Sequence, residues 1–152
     1  MDDVNKNYFS TGQMRNALIQ IEDQMVHSNW LPGIILGINR GGCIPGVYLS
    51  HRLSKPHEVL DVRLRDHTVK PNLTTLEKAF AFQKKILIID DINDSGKTFT
   101  EIKEYYKAGI TVCIIEKMQS EFACDITGGR TDSERWIDFP WELENKEGEN
   151  DE

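Results

Sequence analysis

Cysteine is scarce in this sequence. Only Cys43, Cys113 and Cys124 occur, and none stands in a CxxC pair. An odd number without that spacing argues against a disulfide framework and against a zinc site, and it fits a reducing, cytoplasmic setting. Cys43 and Cys113 sit in apolar stretches and read as small core residues. Long hydrophobic runs are missing as well. The longest extend about six residues, where a membrane helix needs about 20, so no membrane partner is expected. The opening residues MDDVNKNYFS have neither the basic nor the apolar region of a secretion signal. There is no basic excess either. The net charge is −7, of which −5 falls in the last eleven residues, ELENKEGENDE, and about −2 in residues 1–141. A nucleic-acid binder needs a basic face, so that class is excluded. Residues 142–152 read as a solvated, disordered acidic tail. The four histidines, His27, His51, His57 and His67, show no metal spacing and read as surface or local structural residues.

What remains is a chain of 152 residues, enough for one domain over residues 1–141. Met14, Ala17, Leu18, Ile21 and Met25 recur at helical spacing within residues 10–29, behind a capping box at Ser10 and Gln13. GIILGI (33–38), HEVLDVRL (57–64), KKILIID (84–90) and ITVCIIE (110–116) read as strands. Between them, RGGCIPG forms a turn ahead of a helix through Tyr48, Leu49, Arg52 and Leu53, and KTFTEIKEYYKAG (97–109) forms a helix closed by Gly109. Residues 65–84 read as a long polar excursion. Alternation of strand and helix implies an α/β fold with a mostly parallel sheet flanked by helices, and a site at the carboxyl ends of the strands.

The stretch ILIIDDINDSGKT (86–98) carries the chemistry. Gly96-Lys97-Thr98 looks like the end of a P-loop, but that motif needs glycine where Asp91 stands. The pattern is instead a buried strand, two acids, and a small-residue turn opening a helix. Backbone N–H groups of residues 95–98, with the Ser95 and Thr98 hydroxyls, suit one phosphate monoester. Asp90 and Asp91 suit the vicinal hydroxyls of a sugar and a Mg²⁺ ion. Acids beside a phosphate loop match a ribose phosphate.

The same stretch resembles the signature by which type I phosphoribosyltransferases bind phosphoribosyl pyrophosphate (PRPP), with Ser95 in place of the commoner threonine. INRGGCIPG (38–46) is similar to the pyrophosphate loop of the 6-oxopurine enzymes, particularly bacterial xanthine-guanine phosphoribosyltransferases, and ERWIDFPWE (134–142) is similar to their base-binding segment. The resemblance spans roughly residues 33–142. It implies the type I phosphoribosyltransferase fold with a small C-terminal hood of about residues 117–141, helped by the N-terminus.

The resemblance also assigns roles. Asp90 and Asp91 would meet ribose hydroxyls and Mg²⁺. Asp94 would serve as the catalytic group at purine N7. Ser95, Gly96, Lys97 and Thr98 would hold the 5′-phosphate. Arg40, Gly41 and Gly42 would contact pyrophosphate, with a cis peptide at Arg40–Gly41. Lys117, Trp136 and Ile137 would bind the base, while Trp141 is left to packing. A lid over residues 65–83 is implied too. Its Asp66-His67 pair matches the bacterial enzymes, but the Ser-Tyr pair found before it there is missing. The implied activity is purine salvage, transferring phosphoribosyl from PRPP to guanine, xanthine or hypoxanthine, in a homodimer or homotetramer. The alternative is a non-catalytic regulator on the same fold that senses PRPP or a nucleotide.

Overall fold

The computed structural model describes residues 6–62, 74–105 and 109–142. Its centre is a parallel sheet. Strands β2 (Ile34–Ile38), β3 (His57–Leu60), β4 (Ile86–Asn93), β5 (Ile110–Lys117) and β6 (Ile126–Thr127) lie in the order β3-β2-β4-β5-β6, and β7 (Arg130–Thr131) also pairs with β5. Every pairing is parallel. A sheet of this kind must be covered on both faces, which is why its inner strands read as unbroken apolar runs instead of alternating ones.

Alternate residues of each strand serve opposite faces. Ile35, Leu87, Ile89, Val112 and Ile114 pack under α1 (Thr11–His27) and α2 (Cys43–Leu53). Ile34, Leu36, Ile38, Ile86, Ile88 and Cys113 pack under α3 (Thr74–Ala81) and α4 (Lys97–Tyr105). Helix α1 begins at the capping box expected from sequence: Ser10 Oγ accepts from Gln13 N–H and Gln13 Oε1 accepts from Ser10 N–H. Its buried residues are the five expected, Met14, Ala17, Leu18, Ile21 and Met25. Arg52 forks onto Glu22 at 2.9 and 2.7 Å, joining α2 to α1. Exposed pairs of this kind contribute under about 1 kcal/mol, so the helices are held by their apolar faces.

The chain leaves β2 in one direction to reach β3 and leaves β4 in the other to reach β5. The reversal opens a crevice between the ends of the neighbouring strands β2 and β4, where open parallel sheets bind ligands. Outside this sheet, β1 (Lys6–Tyr8) pairs in parallel with β8 (Trp136–Asp138), and a 3₁₀ turn, Pro140–Glu142, follows. The N-terminal residues thereby support the segment that carries Trp136.

Several boundaries differ from the sequence reading. Strand β4 runs on through both acids to Asn93, because β5 offers partners beyond them: Ile92 pairs with Ile115 and Asn93 with Glu116. Helix α2 starts at Cys43, inside the stretch read as a turn. Its first residue therefore faces the strand ends, and Cys43 is half-buried rather than a core residue. Strand β3 ends at Leu60, and the later part of the 65–84 excursion is α3. Residues 65–73 of the expected lid lie outside the described residues, as do 143–152 of the expected tail. Glu142, counted with that tail by composition, belongs to the 3₁₀ turn. No helix among the described residues is long and apolar enough to cross a membrane.

Candidate active site

The acid pair lies in the last half of β4, directly after four buried residues. Asp91 is 7% exposed and Asp90 half-buried. Backbone satisfies part of each carboxylate: Asp91 N–H donates to Asp90 Oδ1 and Ile92 N–H to Asp91 Oδ1, both at 2.8 Å. No lysine or arginine pairs with either acid among the described residues. Burial, and then the charge of Asp91, hold Asp90 well above the ordinary carboxylate range. Burial also raises Asp91, against the hydrogen bond it shares with Asp90. Two desolvated acids without a cation, at the mouth of a crevice, fit a hard oxygen-seeking ion such as Mg²⁺. Asp90 and Asp91 are the residues that would hold it.

The glycine loop lies directly on this pair. A Cβ at Gly41 would overlap Oδ2 of Asp91 and stand 3.1 Å from Oδ1. A Cβ at Gly42 would come within 2.5 Å of Ile89 O and 2.8 Å of Ile38 O, both backbone atoms, so that position needs glycine for the loop to lie this close to β4. Gly42 N–H returns to Ile38 O at 2.9 Å and Gly42 caps α2. Arg40 is exposed at the crest. The cis peptide falls at Asn39–Arg40, one residue earlier than expected. The chain reverses immediately after β2, inside the turn that the Gly42–Ile38 bond closes, which leaves Gly41 and Gly42 to follow the acids.

Beyond the acids, Gly96 takes φ +92°, and a Cβ there would come within 2.6 Å of Phe122 N. Helix α4 starts at once, with Thr100 N–H bonded to Gly96 O at 3.0 Å. The first amides of a helix have no acceptor within it. Lys97 N–H meets Ser95 Oγ only at 3.3 Å, and Asp94, Ser95 and Lys97 are exposed. Among the described residues, Ser95 Oγ is the one side-chain acceptor at these amides, so the bend is open to an anion. Asp94 has a weak contact, Gln119 Nε2 donating to its Oδ1 at 3.4 Å.

Lys117 ends β5 and is buried, and its ammonium donates to Ser133 O at 2.7 Å and Arg135 O at 2.5 Å. It thereby fixes the segment leading into Trp136, and its third N–H has no acceptor among the described residues. Trp136 is 58% exposed, while Ile137 beside it is buried. The Trp136 indole N–H lies against Glu142, whose carboxyl is raised by burial and by the nearby charges of Asp91 and Asp138. Trp136 therefore stands at the same end of the molecule as the acid pair.

Sequence reasoning missed three contributors. Trp141, left to packing, does stack on Phe139 with ring centres 4.8 Å apart. Its buried Nε1 has no hydrogen bond of good geometry, yet it lies close enough to Asp91 to favour that residue's charge. A Pro-Trp pair after a strand gave no sign of this, because the contact depends on how the 3₁₀ turn returns to β4. Glu142 is the second. The third is Glu116, whose Oε1 accepts from Asn93 and from Cys124 N–H and whose Oε2 accepts from Arg130. Burial opposes its charge, but the bonds from Cys124, Asn93 and Arg130 prevail and lower its pKa. Glu116, Cys113 and Cys124 bring potential ligand atoms within 4.8 Å of one another. With Glu116 held by three donors, and the Cys124 thiol kept neutral by its bond with Cys113 and by burial, they form a hydrogen-bonded cluster.

A phosphoribosyl transferase domain is recognised over residues 5–147. A purine phosphoribosyltransferase from Pyrococcus horikoshii is 30% identical over 91% of this chain and 95% of its own, with a TM-score of 0.71. A xanthine-guanine-hypoxanthine phosphoribosyltransferase from Helicobacter pylori shares the fold at 16% identity over 91% and 95%, TM-score 0.71. A hypothetical protein from Neisseria gonorrhoeae with bound ppGpp does so at 17% over 99% and 95%, TM-score 0.70.

The burial of the acids has a thermodynamic consequence. In the unfolded chain Asp90 ionises near its ordinary value of 3.8, whereas in the fold it resists ionisation. Below that pH both states are protonated and nothing is lost; as pH rises toward the folded pKa, the fold is increasingly destabilised. Asp90→Asn is expected to raise the melting temperature of the metal-free protein by about 2–4 °C at pH 7, roughly 1 kcal/mol, with the gain vanishing below about pH 4. Calorimetry at the two pH values checks this, and a lower melting temperature at pH 7 contradicts it.

Proposed function

Because the chain belongs to the phosphoribosyltransferase family, and is thus a glycosyltransferase, we propose that it transfers the 5-phosphoribosyl group of PRPP to a 6-oxopurine, releasing pyrophosphate. One observation carries the reading. A phosphate-sized bend, an uncompensated acid pair and a glycine loop meet at the ends of two adjacent strands, with Lys117 and Trp136 at the same end of the sheet.

The residues take the following roles. Amides 95–98, Ser95, Thr98 and the Lys97 ammonium receive the 5′-phosphate. Asp90 and Asp91 receive the ribose hydroxyls and would hold Mg²⁺, which when bound would supply charge neutralisation for pyrophosphate. Arg40 and the Gly41 and Gly42 amides hold that pyrophosphate as the C1–O bond loosens and the ribose gains oxocarbenium character. The third N–H of Lys117 donates to the 6-oxo group, Trp136 stacks on the base, and the Ile137 backbone meets its 2-position. The purine nitrogen closes on C1 from the opposite face while Asp94 accepts the N7 proton. Residues 117–141 with β1 act as the hood; of the 65–83 segment expected as a lid, α3 packs on the sheet through Leu76 and Ala79, which leaves residues 65–73 for the work of excluding water. We place this chemistry in the cytoplasm.

We also propose a homodimer. Ile44, Val47 and Tyr48 form an apolar stripe on α2, 38%, 41% and 37% exposed, immediately after the pyrophosphate loop. A second copy covering that stripe would border Arg40. Sedimentation equilibrium is expected to return at least twice the 17.5 kDa chain mass, and a monomer at micromolar concentration would refute it.

A steady-state screen of guanine, xanthine, hypoxanthine and adenine with PRPP and Mg²⁺ tests the reaction. Pyrophosphate release is expected with at least one 6-oxopurine and not with adenine, which offers Lys117 no acceptor. Release with adenine alone overturns the base assignment; binding of PRPP or nucleotide with no release favours the regulator reading. Asp94→Asn is expected to lower kcat by about 10²–10⁴ while PRPP affinity stays within a few-fold. Unchanged turnover would remove Asp94 from its role.

A further inference from the structure

The phosphate bend rests on a polar network that touches no proposed ligand. Its centre is Glu116, 4% exposed. Asn93 Nδ2 donates to Glu116 Oε1 at 2.8 Å, Cys124 N–H donates to the same oxygen at 2.6 Å, and Arg130 Nε donates to Oε2 at 3.0 Å. Asn93, 2% exposed, also donates to Phe122 O at 2.6 Å and accepts from Ser120 Oγ at 3.0 Å. Residues 120–124 are thereby fastened to the end of β4, one residue before Asp94.

That fastened segment is the floor of the bend. Glu121 N–H donates to Ser95 O at 3.0 Å. The backbone of Phe122 lies against Gly96 so closely that a Cβ there would come within 2.6 Å. The Phe122 ring stacks on Phe99 in the first turn of α4, with centroids 5.5 Å apart and planes at 15°. The position of the 95–98 amides is thus set by what holds residues 120–124, and the chief holder is Glu116 acting through Asn93. Buried polar groups joined this way keep one arrangement, since releasing any member orphans its partners.

We infer that Glu116, with Asn93 and Ser120, is a positioning residue for the phosphate bend, and that the network sets affinity for the phosphorylated sugar without setting affinity for the base. The inference rests on reading residues 95–98 as the 5′-phosphate site. Supporting side chains of this kind hold a binding group to its working geometry.

Glu116→Leu, which orphans three donors, is expected to weaken ribose 5-phosphate binding at least tenfold by calorimetry. Glu116→Gln keeps a carbonyl oxygen for Asn93 and Cys124 N–H and should stay within about threefold. Ser120→Ala provides a second, milder arm that guards against loss of folding in the leucine variant: it removes the hydroxyl that donates to Asn93 Oδ1 and to Phe122 O and accepts from Phe122 N–H, and leaves the three bonds of Glu116 in place. It should raise both the ribose 5-phosphate Kd and the KM for PRPP three- to tenfold, leaving the KM for the base within twofold. Wild-type affinity in Ser120→Ala overturns the inference, as does an equal rise in both KM values, the mark of general loosening. Failure of the wild-type protein to bind ribose 5-phosphate at all instead sinks the phosphate-site reading.

Discussion

The carboxylate of Asp91 occupies the space that a side chain at Gly41 would need, and much of the rest follows from that contact. A glycine backbone laid on a buried acid brings two loops, from strands adjacent in the sheet, within reach of one ligand. The contact requires β2 and β4 to be neighbours, with β2 ending level with the acids. Their register, with Gly37 beside Ile89, provides both conditions. The reversal of chain direction between these strands then keeps other connections out of the crevice.

The same contact makes the ligand-free site costly. Two acids side by side, desolvated and without a cation among the described residues, oppose folding at neutral pH. Trp141 and the backbone amides relieve only part of this. Glu116 meets three donors and its pKa falls, whereas Asp90 and Asp91 have no such complement among the described residues and theirs rise. The contrast separates a carboxylate that holds the fold from a pair left for a ligand. Lys117 lies between these extremes, with two of its donors fixing backbone and the third without an acceptor among the described residues.

Much of this was legible in the sequence, for identifiable reasons. Helix α1 announced its cap and its buried stripe because both depend on residues a few positions apart. The apolar runs gave the parallel sheet, and the acids with Ser95-Gly96-Lys97-Thr98 gave the bend, since each is local. The hidden features are those made by distant residues. Nothing near Glu116 shows that it meets Asn93, 23 positions away. Trp141 looked like packing because its neighbour Asp91 lies 50 residues earlier. The run of β4 past the acids depends on β5 continuing alongside it. Cys43 looked apolar until the start of α2 turned it toward the strand ends.

The central claim is that backbone just beyond the acid pair receives a sugar-borne phosphate. Amide chemical shifts followed by NMR during titration with ribose 5-phosphate, against ribose as the control, test it most directly. The account predicts that the amides of residues 95–98 move with ribose 5-phosphate and stay in place with ribose, while those of Gly41 and Gly42 move little with either. Saturable shifts that leave 95–98 untouched, or equal responses to the two sugars, would contradict it.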